Sequence, residues 1–118
     1  MSFNSITLVG TLANDPIVKD TTNSKLCTFQ LVVERPIRDR EGKKLSDLFM
    51  IICWGKIAEN VGKYMRKGRM LSLHGSIYKK TYTDKNGNMN SVWEVTANQV
   101  QFLPQRLNQS NQSNQEKK

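Results

Sequence analysis

The stretch Leu71-Ser-Leu-His-Gly-Ser-Ile-Tyr-Lys-Lys-Thr-Tyr82 alternates between two kinds of side chain. Its odd positions as far as Ile77 are apolar or glycine, whereas its even positions end in aromatic and cationic residues: Tyr78, Lys80 and Tyr82. Because side chains alternate across a strand, this pattern predicts a β-strand with one face on a core and the other exposed. Cations attract phosphates and flat rings stack on unpaired bases, so the exposed face suggests single-stranded nucleic acid.

The strand leads into a turn at Asp84–Asn88 and returns from about Met89 to Phe102. A two-residue turn at Asn86–Gly87 would set Tyr78 opposite Val95 and mix the core face with the outer face. A three-residue loop over residues 85–87 instead pairs Ile77 with Val95. The matching hydrophobic faces therefore predict the three-residue loop, with Gly87 in the left-handed region.

The same register pairs Gly75 with Ala97 and Lys79 with Trp93. Trp93 then lies on the side that continues the core face, so it is predicted to pack beneath the hairpin rather than to stack on bases, although a hairpin that extends freely exposes both faces. A phosphate contact is predicted for Lys85 in the turn. The alternative is that the lysines of this hairpin only keep it solvated.

Three further strands are predicted before this hairpin, over Ile6–Leu12 and at about residues 27–34 and 48–54. The third is apolar on both faces, so its second face is predicted to be covered by another subunit, by ligand, or by both. Residues 36–46 read as a charged connecting loop. Residues 56–67 read as the only helix, with Gly68 in the left-handed position that follows a helix.

The totals fit one domain of 118 residues with a net charge of +8 and a pI near 9.7. That charge favours an anionic partner, either nucleic acid or a membrane surface. The longest apolar run is too short to span a bilayer and no secretion signal is visible, so we expect a cytoplasmic protein without a membrane partner. Residues 1–103 form the predicted domain, and the polar residues 104–118 form a predicted disordered tail.

No catalytic or metal-binding constellation stands out. The chain has one histidine and two separated cysteines, which cannot assemble a zinc site. Cys27 and Cys53 lie in apolar strand-like runs, where we expect reduced, buried thiols. The prediction is therefore a non-enzymatic protein with no cofactor and no metal.

Five strands with a helix between the third and fourth suit an OB-fold, a five-stranded Greek-key barrel, here with an extended strand 4–5 hairpin. Short motifs that occur in order along the chain make this fold prediction more specific. They are Ile6-Thr-Leu-Val-Gly10, Asn14-Asp15-Pro16, Thr28-Phe29 with Arg35, Trp54-Gly55-Lys56-Ile-Ala-Glu59-Asn60-Val61, Lys67-Gly68 and Gly75. Over roughly residues 4–103 the chain resembles the bacterial-type single-stranded DNA-binding protein family.

The resemblance implies a homotetramer that wraps single-stranded DNA in replication, recombination or repair, without catalysis. It implies base stacking on Trp54 and Tyr82, DNA-facing positions at Tyr78 and Lys80, and a basic position at Arg35. Three lysines complete the predicted DNA-binding set: Lys43, Lys56 and Lys85.

The chain departs from the family pattern in its aromatic residues and in its last residues. Some members carry an additional aromatic residue at Leu48 and around Ile37, and this chain does not. Members that recruit replication and repair enzymes usually end in an acidic tip, whereas this chain ends Gln115-Glu-Lys-Lys118, so recruitment through such a tip is not expected. Two alternatives stay open: an OB-fold adaptor of a replication-restart complex, and a small RNA-binding OB module.

Overall fold

A computed structural model describes residues 1–104, and the predicted tail beyond Pro104 lies outside the described residues. Within them the chain forms six strands and one helix, where the sequence predicted five strands and one helix. They are β1 (Ile6–Leu12), β2 (Ile17–Asp20), β3 (Lys25–Arg38), β4 (Lys44–Trp54), α1 (Gly55–Tyr64), β5 (Met70–Thr83) and β6 (Met89–Phe102). The additional strand, β2, has four residues that are all exposed, so no alternation marks it in the sequence.

The five long strands close into a barrel. Their order is β1-β5-β6-β4-β3, and β1 returns to pair with β3 at Thr11 and Leu12, while β2 only extends the sheet beside β3. All neighbours are antiparallel except β4 and β6, which run parallel. This closed barrel with one helix confirms the predicted OB-fold.

The core follows from strand alternation. The inward positions of β3, β4 and β5 are almost completely buried, and α1 adds Ala58 and Val61 against the strands. The strand residues are Cys27, Phe29, Leu31, Ile51, Cys53, Leu71 and Leu73. Burial of these apolar side chains is the main favourable contribution to folding, so the barrel interior fixes which faces of β4 and β5 remain outside.

The β5–β6 hairpin, called the arm from here on, has the register that the sequence predicts. Ile77 pairs with Val95, Gly75 with Ala97, and Lys79 with Trp93. The Asp84 N–H donates to the Asn88 carbonyl at 2.9 Å, which leaves a three-residue loop, and Gly87 has a φ of +83°. These hydrogen bonds confirm the predicted loop and fix which arm residues face outward.

A β-bulge interrupts β6 close to the barrel. His74 pairs with Gln99 and Gly75 with Ala97, so Asn98 has no partner on β5. The extra residue changes the alternation of β6. Consequently Val95 and Ala97 point into the core on one side of Asn98, and Val100 and Phe102 pack against the core on the other.

The predicted charged loop over residues 36–46 was wrong, because most of it continues the β3–β4 ladder. β3 runs to Arg38 and β4 starts at Lys44, so only a tight turn remains. In that turn the Asp39 carboxylate accepts the backbone N–H groups of Glu41 and Lys43 at 2.8 and 2.9 Å. These local hydrogen bonds fold the charged residues into the tip of a second projecting hairpin, called the β3–β4 hairpin below.

The helix is shorter than predicted. It ends at Tyr64 because Met65 takes an extended conformation and is completely buried in the core. Gly68, with a φ of +93°, therefore serves the turn into β5 rather than the helix end. Its N–H donates to the Leu12 carbonyl at 3.0 Å, which ties that turn to β1.

Cys27 and Cys53 are directly opposite each other on β3 and β4, and both are buried and free, as predicted. The side-chain hydrogen bond with Cys27, together with burial, raises the pKa of the Cys53 thiol. No helix within residues 1–104 is long and apolar enough to cross a membrane. The same residues hold no group of three or more His, Cys, Asp or Glu side chains arranged for a metal ion.

Candidate nucleic-acid interface

The outward face of β4 carries four apolar side chains: Leu48, Met50, Ile52 and Trp54. Leu48 is 56 % exposed and Trp54 is 47 % exposed. Trp54 has an extended backbone immediately before α1, and Gly55, with a φ of +67°, makes the sharp turn into the helix. The indole therefore stays on the outer sheet face instead of following the helix.

The arm presents the second part of this face. Tyr78, Lys80 and Tyr82, together called the arm strip, are on the outer side of β5, opposite Glu94, Val92 and Asn90 of β6. Both tyrosines are about half exposed. Exposed rings separated by a cation are suited to base stacking beside a phosphate contact.

Lys80 does not present a free charge in the arm strip. Its Nζ is 3.8 Å from Glu94 Oε2, and the Glu94 side chain is only 20 % exposed. Exposed ion pairs contribute little to stability, so an incoming phosphate can compete with this carboxylate for Lys80. The arm strip is nevertheless less electropositive than its sequence alone indicates.

Trp54 and the arm strip share one surface. Met50 pairs with Glu94, and Glu94 pairs with Tyr78, which joins the three strands in one row. Trp54 is four residues from Met50 along β4, and Tyr78 is two strands away from Met50 across the sheet. For ordinary sheet geometry these two steps place Trp54 and Tyr78 about 16 Å apart. A single strand that touches both rings therefore crosses the apolar side chains between them, which sequence reasoning did not include in the site.

Arg35 is held in a two-point ion pair. Its Nε and Nη2 donate to the Asp47 carboxylate at 2.9 and 2.8 Å. These hydrogen bonds hold the pKa of Asp47 below its usual range, so the carboxylate stays ionised. Arg35 is thus largely neutralised by Asp47 on the β3–β4 hairpin.

Removing that carboxylate tests whether Arg35 can reach a phosphate. Asp47→Asn is expected to tighten binding of a labelled oligo(dT) a few-fold. The slope of log affinity against log salt should steepen by about 0.7, the value of one additional phosphate contact on a single strand. Fluorescence anisotropy at several salt concentrations measures both quantities.

Asp20→Asn is the matched control, because it releases Lys25 from a 2.7 Å ion pair and changes the net charge equally. Equal effects of the two substitutions would show that only net charge matters, and would exclude a specific phosphate contact by Arg35.

The remaining predicted cations are spread over three places. Lys43 lies at the turn of the β3–β4 hairpin and Lys85 at the tip of the arm. Lys56, in the first turn of α1, lines a cavity of about 310 Å³ with Val18, Lys25, Glu59, Asn60, Gly62 and Lys63. These three lysines therefore form no single patch. They lie at the tips of the two hairpins and at the start of α1.

Trp93 differs from its prediction. The sequence placed it beneath the arm, but it is 56 % exposed. At Trp93 the arm already extends beyond the barrel. The side of the arm that carries Trp93 therefore has nothing packed over it within residues 1–104.

An OB-fold barrel with exposed rings on its outer face defines a nucleic-acid-binding module. The chain matches the Single-strand binding protein family over residues 3–103 and belongs to that family.

Known proteins support the assignment. The chain is 37 % identical over 102 residues to Single-stranded DNA-binding protein 1 of Clostridium acetobutylicum, covering 85 % of this chain and 93 % of that protein. It is 37 % identical over 108 residues to the single-stranded DNA-binding protein of Halalkalibacterium halodurans, covering 91 % and 64 %. A solved structure described as a Plasmodium falciparum SSB complex with ssDNA matches with a TM-score of 0.79 and 29 % identity, covering 88 % of this chain and 97 % of that one.

Proposed function

We propose that this protein binds single-stranded DNA with little sequence preference and protects it in replication, recombination or repair, without catalysing a reaction. The observation that carries the proposal is the outer face that joins Trp54 to the arm strip on a barrel of the Single-strand binding protein family. Stacking on exposed rings tolerates any base, because every base has a π-face.

Two kinds of contact contribute to the affinity for single-stranded DNA. The net charge of +8 attracts the phosphate backbone and makes affinity depend on salt. Stacking on Trp54, Tyr78 and Tyr82 then adds about 1–3 kcal/mol for each base held. We assign phosphate contacts to Lys80, Lys85, Lys43 and Lys56, and to Arg35 once it leaves Asp47.

The binding unit is residues 1–103, and we propose that it assembles as a homotetramer. The apolar outer face of β4 supports a contact with another subunit, with the DNA, or with both, since Leu48 and Trp54 are about half exposed in a single chain. A strand wrapped over several subunits would reach several such faces. Replication or repair proteins would then meet the assembly in the cytoplasm, at the nucleoid.

Salt dependence is the direct test. Log affinity for oligo(dT) is expected to fall linearly with log salt, with a slope of about −0.7 for each phosphate neutralised. A flat response would contradict a phosphate-tracking surface. Anisotropy titrations with labelled oligo(dT), the matched RNA and the matched duplex measure the slope and the preference together.

Two measurements test the tetramer: the mass of the free protein in solution, and its titration with oligo(dT) of increasing length. A site size that spans several subunits supports it. Tighter binding to the RNA oligomer would instead favour an RNA-binding module, and strong helicase binding with weak DNA affinity would favour the adaptor.

A further inference from the structure

The two projecting hairpins separate where β4 leaves β6. These strands pair over three residues only, Met50–Ile52 with Glu94–Thr96. The part of β4 that precedes Met50 belongs to the β3–β4 hairpin, and the part of β6 that precedes Glu94 belongs to the arm. Between them lies an open cleft of about 700 Å³, lined by Asp47, Leu48, Phe49, Ile77, Ser91, Val92 and Trp93.

The cleft is mainly apolar and closed at its base. Phe49 and Ile77 pack against the core and form the floor. Leu48 and Trp93, each 56 % exposed, form facing walls. The volume and the few polar groups suit a small flat ligand, since ligand sites are concave, mostly apolar and a few hundred cubic ångströms in size.

The charge around the cleft does not repel a nucleic acid. Asp47 is the only acidic residue in the lining, and Arg35 binds its carboxylate at two points. Lys79 is the cross-strand neighbour of Trp93, is exposed, and makes no ion pair within residues 1–104. A cation next to an exposed indole matches the backbone and base of one nucleotide.

The cleft is also continuous with the proposed DNA surface. Val92, on its wall, is the cross-strand neighbour of Lys80 in the arm strip. Leu48, on the opposite wall, shares the outward face of β4 with Trp54. A strand on the outer face therefore passes the opening of the cleft between the two parts of the site.

We propose that this cleft receives an unstacked base of the bound single strand, with Trp93 as its stacking surface and Lys79 as its phosphate contact. The inference rests on the proposed function and adds to it a binding residue on the opposite face of the arm from Tyr78 and Tyr82. The cleft makes the arm a two-sided DNA contact rather than a one-sided one.

The chain contains two tryptophans, so Trp54→Phe leaves Trp93 as its only indole. Titration of this variant with oligo(dT) is expected to quench the Trp93 emission and to shield it from acrylamide, in step with the anisotropy of a labelled oligomer. Unchanged emission while the oligomer binds would overturn the inference and leave the proposed function intact. Failure of the unaltered protein to bind oligo(dT) would overturn both.

A substitution pair separates ring stacking from simple filling of the cleft. Trp93→Leu keeps an apolar side chain without a ring and is expected to raise the Kd for oligo(dT) at least about fivefold. Trp93→Phe keeps a ring and is expected to retain most of the affinity. Equal losses in the two variants, or no loss in either, would contradict stacking on Trp93.

Tyr64→Leu is the matched control. Tyr64 is 52 % exposed, close to the value of Trp93, but it lies on α1 with its ring centroid 6.0 Å from that of Phe102. Its substitution is expected to leave the Kd unchanged, and a loss as large as that of Trp93→Leu would overturn the inference. Emission of Trp93 that changes on dilution without DNA would show that a second copy of the chain fills the cleft, which would overturn it as well.

Discussion

Trp54→Ala combined with Tyr82→Ala is expected to weaken oligo(dT) binding by about 10²- to 10⁴-fold, because each ring supplies about 1–3 kcal/mol of stacking. Both rings are about half exposed on the outer face, so their removal leaves the barrel core unchanged. Anisotropy titrations at one salt concentration measure the loss.

The single variants should each account for about half of that free energy. Trp54 lies at the end of β4 and Tyr82 near the tip of the arm, so they share no neighbours and their effects should add. Tyr64→Ala, an equally exposed ring on α1, is the control and should bind normally. A double variant that binds as tightly as Tyr64→Ala would remove both rings from the site.

Gly75→Ala is expected to destabilise the barrel more than any exposed substitution. A Cβ at Gly75 would meet the Thr96 carbonyl oxygen at 1.8 Å and the Ala97 Cα at 3.0 Å, and both are backbone atoms of β6. Gly75 also pairs with Ile6 of β1, so β5 cannot move away without disturbing a second ladder. We expect a loss on the order of 3 kcal/mol or more, which lowers the Tm by more than about 10 °C.

Gly42→Ala provides the comparison for Gly75. Gly42 has a φ of +81° in the turn of the β3–β4 hairpin, and nothing lies within 4 Å of an added Cβ. Its substitution should cost only about 1–2 kcal/mol of left-handed backbone strain. Thermal unfolding at one protein concentration compares the two variants, and equal Tm values would show that β6 accommodates the methyl group without strain.

The arm is the part of the fold that the sequence predicts best. Its register depends on local alternation and on one glycine, and both are visible in the sequence between Leu71 and Ala97. Alternation puts Trp54 on the same face as Leu48 and opposite Ile51, but only the family resemblance indicated that this face is the outer one. Strand alternation therefore predicts the arm strip, and the resemblance adds Trp54.

The remaining features depend on contacts that alternation does not contain. The end of α1 is set by the burial of Met65, and the β3–β4 hairpin by hydrogen bonds to Asp39. The ion pair of Arg35 joins residues on two strands, and the exposure of Trp93 follows from the separation of β4 from β6. Apart from the Asp39 turn, whose hydrogen bonds are local, these are tertiary relations between distant segments, which strand alternation does not contain.

The unpaired residue at Asn98 makes the side-chain alternation of the arm independent of the alternation in the barrel. The alternation on the arm side of Asn98 is set by Val95 and Ala97, while the barrel side is set by Val100 and Phe102. Adding one residue to each strand beside the turn would extend the reach of the arm and leave both sets of side chains facing inward. Paired insertions near Asp84 and Asn88 thus change the length of the arm without any compensating change in the core.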